Sequence, residues 1–192
     1  MSARLLAAGI LAALLCGCAQ LGSSPGAASR PLMPVLDVPQ LSRQCEEGLA
    51  RARQLIAAME SGGGDFFAQW NELQIAIEDA RNPISVLGSL HPDKAVRDAA
   101  EPCLQKYTVL YTGIFQSEKL FARVSAASAT TPAQAKLRRN LVEGFEDSGV
   151  ALPPDKRARA KQIFERLEEL RQEYDRNVRD DPTRDTFTAA EK

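Results

Sequence analysis

The sequence predicts an all-α protein, a helical bundle of about five to six helices. Three observations predict it. Past residue 38, apolar residues recur at steps of three and four, and no strand-like alternation persists anywhere. The gaps between these stripes carry helix punctuation, with Pro near the starts and Gly past the ends. The chain has 192 residues, 44% hydrophobic and 26% charged, which suits one globular core once a leader is removed. The formal net charge of -1, from 24 basic and 25 acidic residues, provides no basic face and so no nucleic-acid partner.

Residues 1–17 read as a leader. "MSARLLAAGILAALLCGCAQ" has one early cation, Arg4, and an apolar run from Leu5 to Leu15. That run is shorter than the roughly 20 residues a membrane-spanning helix takes, and it suits a secretory signal. It ends at Leu15-Cys16-Gly17-Cys18, which resembles the lipobox of bacterial lipoproteins, although Cys16 is unusual at its position. The resemblance implies that Cys18 receives lipid and becomes the mature N-terminus, giving a lipid anchor to the membrane. Ala19 follows instead of an inner-membrane-retaining aspartate, so the implied location is the periplasmic face of the outer membrane. Residues 18–38, rich in Gly, Ser and Pro, read as a flexible tether.

The helical domain is expected over 39–180, with a polar tail at 181–192. The first helix opens at Pro39 and carries Leu41, Cys45, Leu49, Ala52, Ile56 and Met59 on one face before Gly62-Gly63-Gly64 stops it. Asp65 caps a second helix burying Phe66, Trp70, Leu73 and Ile77, and Asn82-Pro83 is expected to end it. A short apolar piece, "ISVLGSL", leads to His91-Pro92. The following stripe, Ala100, Cys103, Tyr107, Leu110, Ile114 and Phe121, is interrupted by Pro102, which predicts a helix end or a kink. After the loop "SAASATTP", Pro132 starts a helix whose Leu137, Leu141 and Phe145 point inward and whose end Gly149 caps. In the last helix Ile163, Leu167, Leu170, Tyr174 and Val178 keep a near-heptad rhythm. Under three heptads are covered, which favours a bundle helix over a coiled coil.

Candidate chemistry is sparse. His91 is the only histidine. His91-Pro92-Asp93 is the tripeptide of J-domain co-chaperones. Here the preceding segment lacks a basic helix and the following one enters a helix directly. The structural reading places Pro92 in a first helical turn, with Asp93 favoured by the helix dipole. "SGGGD" lacks the lysine and strand of a phosphate loop. Glu46-Glu47 and Glu168-Glu169 are adjacent pairs that splay on a helix, and "KRARAK" reads as a basic turn; both are expected to be solvated. Cys45 and Cys103 are candidates for a disulfide or for two buried thiols, and the sequence leaves both open. No close-spaced Cys or His pair predicts a metal site.

Two stretches carry a family resemblance: "NPISVLGSLHPDKAVRDAAEPC" and "LVEGFEDSGVALPPDKRARAKQIFERLEELRQEYDRNVRDD", with "FFAQWNELQIAIEDA" in support. Their ordered elements are Ser148-Gly149-Val150, Leu152-Pro153, Lys156-Arg157 and Asn177-Val178. Together they resemble the N-terminal helical region of the thimet oligopeptidase and oligopeptidase A family of zinc metallopeptidases, across roughly residues 65–185. The resemblance implies a helical wall of a channel that admits short peptides. In the full-length family, zinc is held by a His-Glu-x-x-His helix and a later glutamate, and the motif's glutamate activates the bound water. A chain with one histidine cannot supply that motif, so no catalytic residue, metal ligand or cofactor is assigned here. The expected function is the peptidase's channel-walling portion, with the catalytic portion or short peptides as partners. The alternative is a free-standing helical lipoprotein acting as an interaction module.

Overall fold

The computed structural model describes residues 35–183. Six α-helices follow one another: α1 (Val38–Glu60), α2 (Phe66–Leu90), α3 (Lys94–Phe115), α4 (Glu118–Ala126), α5 (Pro132–Asp147) and α6 (Pro154–Arg179). Among the described residues there is no strand. α1, α2 and α3 pack against one another, α6 lies along α3, and α4 joins α5 to the first three.

Helix ends follow side-chain chemistry. Asp37 and Gln40 form a reciprocal capping box at the start of α1, each side chain accepting from the other's backbone N–H at 2.7 and 2.8 Å. Asp65, Asp93, Ser117 and Thr131 cap α2 to α5 through side-chain oxygens. α5 closes in a Schellman motif. Gly149, at φ +81°, donates to Glu146 C=O at 2.9 Å, and Val150 donates to Phe145 C=O at 3.1 Å.

The core is built from the expected stripes. Leu41, Leu49, Leu73, Ile77, Tyr107 and Ile114 are fully buried between α1, α2 and α3. Cys45 of α1 and Cys103 of α3, both nearly inaccessible, are joined in a disulfide with Cα atoms 6.0 Å apart. Gly48 permits the tight approach of α1 to its neighbours: a Cβ there would come within 2.4 Å of both Ala80 Cβ and Tyr107 Oη. A chain of rings extends the core outward, from Trp70 to Phe115, 6.0 Å between centroids, then to Phe145 at 5.1 Å and Phe121 at 5.8 Å. It ties α2, α3, α5 and α4 together.

Arg123 of α4 fastens the turn between α1 and α2. Its guanidinium donates to the C=O groups of Met59 and Gly63, the latter at 2.8 Å, and to Gln69 Oε1 at 2.9 Å. It also lies 5.8 Å from the centroid of the Phe66 ring.

Several expectations are corrected. Pro83 does not end α2, which continues through "ISVLGSL" to Leu90. A mid-helix proline costs about 3 kcal/mol. Burying Ile84 and Leu87 beyond it offsets this at about 2 kcal/mol each. Gln44 of α1 also donates to Ala80 C=O at 3.0 Å, in the turn that the proline loosens. Of the two outcomes expected at Pro102, a helix end is ruled out, because α3 runs through it.

The stripe running to Phe121 is split, because α3 stops at Phe115 and Ser117 caps a separate α4. Pro92 precedes the cap of α3 instead of occupying its first turn: Asp93 Oδ1 accepts from Ala95 N–H at 2.8 Å.

A further correction concerns α6. None of its 26 residues is buried. Ile163, Leu167, Leu170, Tyr174 and Val178 are 44–68% exposed, and the half-buried face carries Lys161, Glu165, Glu168, Gln172, Arg176 and Arg179. The helix docks through polar groups. Arg176 meets Glu101 at 2.5 Å and Arg179 donates to Gly88 C=O at 3.0 Å. Gln105 donates to Glu165 C=O at 3.3 Å. At the other end Arg157 reaches Glu118 at 2.5 Å and Val150 C=O at 2.8 Å. "KRARAK" is therefore not wholly solvated, because the Arg157 side chain is only 19% exposed.

Candidate functional site

Among the described residues, no group of three or more His, Cys, Asp and Glu side chains is placed to hold a metal ion. Cys18 and the end of the polar tail lie outside the described residues. His91 caps the end of α2, and its Nδ1 accepts from Asp93 N–H at 3.0 Å. Arg97 closes the same turn by donating to the C=O groups of His91 and Pro92 at 2.7 and 3.0 Å. All of these contacts organise the α2–α3 corner, and none pairs the imidazole with a nucleophile.

One concavity is a groove of about 350 Å³ where α6 meets α3 and α2. Leu167 and Glu168, adjacent in sequence and so about 100° apart around α6, both line it. Phe164 and Leu167 supply an apolar wall, and Phe115 closes the far end. Arg81 of α2 places a cation on the rim.

The polar groups in the groove are held in defined states. Glu168 is not solvated as expected from its adjacent acidic pair; its side chain is 15% exposed. Arg171 grips it through Nε at 2.9 Å and Nη2 at 2.6 Å, and Gln172 donates at 2.9 Å. Burial pushes the Glu168 carboxyl up, but these hydrogen bonds and the charges of Arg171 and Arg81 outweigh it and leave the carboxyl below its usual range. Tyr111 donates to Glu78 Oε1 at 2.8 Å. Burial, then the bond to Glu78, pushes its hydroxyl up, so it stays protonated at neutral pH.

The groove therefore offers an apolar wall, a free edge of cationic charge and fixed hydrogen-bonding groups, without an activated nucleophile or a general base. These groups do not make a catalytic set. The sequence reading did not pick out Arg81, Tyr111 or Phe164. Their only signal was being off the main stripes on three different helices, and nothing local shows that they converge.

The fold and groove define an all-helical, disulfide-bridged module with no metal-holding cluster among its described residues. Comparison with known proteins gives this class a neighbourhood. The chain is 30% identical over 105 residues to oligopeptidase A of Escherichia coli, covering 52% of this chain and 15% of that protein. It is 27% identical over 147 residues to oligopeptidase A of Salmonella typhimurium, covering 70% of this chain and 21% of that one. A thimet-like oligopeptidase of Dictyostelium discoideum is 24% identical over 131 residues, covering 64% and 20% respectively. The chain thus spans about a fifth or less of the length of these relatives. No family model matches it. These similarities support a thimet-oligopeptidase-like region.

Proposed function

We propose that the chain is the channel-walling helical portion of a thimet-oligopeptidase-like zinc peptidase. It holds no zinc itself, and lipid on Cys18 anchors it at the periplasmic face of the outer membrane. The observation that carries the reading is the similarity to oligopeptidase A over half or more of the chain. The α3–α6 groove supports it by offering a peptide-sized wall with Arg81 placed to meet a carboxylate. In this arrangement the helical portion selects and orients short peptides, and a separate zinc-bearing portion supplies the activated water.

A second reading, a free-standing binding module, is favoured by the Cys45–Cys103 bridge, which closes the α1–α3 core within this chain alone. Both readings place short peptides in the groove.

The test is fluorescence anisotropy with labelled peptides of about four to ten residues, a span of up to about 35 Å when extended. The chain is expected to bind them without cleaving them, and Arg81→Glu is expected to weaken binding. Absence of binding by the chain, both alone and with a zinc-bearing oligopeptidase portion, refutes the peptide-wall reading. Cys18→Ser is expected to move the protein to the soluble fraction, and unchanged membrane retention refutes the anchor.

A further inference from the structure

The outward stripe of α6 has a charge pattern that identifies its occupant. Ile163, Leu167, Leu170 and Tyr174 alternate at steps of four, three and four, which is the spacing of a coiled-coil seam. They lie on the outward side of α6, opposite its half-buried positions, with Leu167 also lining the α3–α6 groove. We infer that the occupant is a second copy of this chain, with the two α6 helices pairing antiparallel along this seam. The inference goes beyond the peptide-wall reading and does not depend on it.

The register follows from the sequence of α6. With Leu167 opposite the partner's Leu170, reversing the partner places Ile163 opposite the partner's Tyr174. Ala160 then meets the partner's Asn177. Four apolar layers are thus flanked by one small-polar layer at each end. The residues of α6 bordering the seam on one side are Arg159, Arg166 and Glu173. Antiparallel pairing sets Arg166 against the partner's Glu173, and two-fold symmetry repeats the pair. Each is a pair of opposite charges.

On the other border Phe164 meets the partner's Arg171, whose guanidinium can lie over the face of the ring. Phe164 and Arg171 also line the α3–α6 groove, so the partner copy would extend the wall of each groove. A parallel pair sharing this seam would instead set Arg166 against the partner's Arg171, two like charges. Border charges of this kind fix the orientation of helix pairs.

Two further features favour pairing. α6 is already helical and fastened by Arg157 at one end and Arg176 and Arg179 at the other, so association need not order it. Leu167 and Leu170 are 56% and 44% exposed, so changing them leaves the core untouched.

The experiment is sedimentation equilibrium on residues 18–192 carrying Cys18→Ser, over a range of loading concentrations. The expected result is a monomer–dimer equilibrium. Leu167→Asp with Leu170→Asp is expected to abolish it, with the helical circular dichroism unchanged. Arg166→Glu turns two attractions into repulsions and is expected to weaken dimerisation about tenfold. Combining it with Glu173→Arg restores both pairs and is expected to return the affinity to within about threefold.

Strengthening by Arg166→Glu alone indicates parallel pairing and overturns the inference. So does a monomer at every loading concentration up to about 1 mM, which would leave the stripe as the seat of a different protein, such as a zinc-bearing portion. Peptide binding and its sensitivity to Arg81→Glu are read separately, so either idea can fail without the other.

Discussion

Replacing Cys45 and Cys103 together by alanine should cost the protein about 4 kcal/mol of stability. The bridge joins residues 58 apart in sequence. In the chain-entropy description, closing a loop of that length removes about 14 cal/mol/K from the unfolded ensemble, which is about 4 kcal/mol at room temperature. Both cysteines are nearly inaccessible, so the alanines also leave a small apolar void, and alanine avoids adding an unpaired hydroxyl. With a urea dependence of about 2 kcal/mol per molar, the unfolding midpoint should fall by about 2 M.

The assay is urea unfolding followed by circular dichroism, on residues 18–192 of the parent and of the Cys45→Ala/Cys103→Ala variant, each with Cys18→Ser to remove the third thiol. The parent's bridge should resist reductant in the folded state and yield once urea opens the core. Equal midpoints for the two proteins, or two titratable thiols in the untreated parent, would refute the reasoning.

The remaining predictions concern side chains whose partners are defined. Tyr107 Oη is buried without a hydrogen-bond partner among the described residues, so Tyr107→Phe should be neutral or stabilise by up to about 1 kcal/mol by urea titration. Tyr111→Phe leaves Glu78 without its donor and should destabilise by about 1 kcal/mol in the same assay. Arg123→Ala frees the C=O groups of Met59, Gly63 and Gly64 and should cost about 2 kcal/mol, and Arg123→Lys should recover less than half of that because it lacks the planar fork. The Glu168 carboxyl is held below its ordinary value of 4.5 in the folded state. Its contribution is therefore present above that value and lost as pH falls through the folded-state value. The stability drop between about pH 6 and about pH 3 should be smaller in Glu168→Gln than in the parent.

The stripes on α1, α2, α3 and α5 were legible because each faces the core, so period and burial coincide: Leu41, Leu49, Ile77 and Phe145 are all inaccessible. The end of α2 was misread at Pro83 because local preference opposed a larger gain from burying Ile84 and Leu87. α6 was misread for a different reason. Periodicity shows that a helix has an apolar face, but not which face its neighbour accepts. The α3 surface offers Glu101 and Gln105, so Arg176 and the Glu165 carbonyl of α6 dock there and the leucines turn outward. The groove was illegible for a related reason: Arg81, Tyr111 and Phe164 converge only once three helices are placed.

The polar docking of α6 divides the molecule into two tiers of cooperativity. Amides in α1 to α3 sit behind a bridged hydrocarbon core and should exchange with deuterium mainly through global unfolding. α6 is held by charge-assisted contacts at its ends and one amide bond near its middle, with no buried side chain. It can peel away while the rest stays folded, and ionic strength weakens the contacts that hold it. Its amides should therefore lose protection as salt rises while those of α1 stay constant. The last helix then behaves as a separate foldon, governed by electrolyte where the remainder is governed by the cost of exposing hydrocarbon to water.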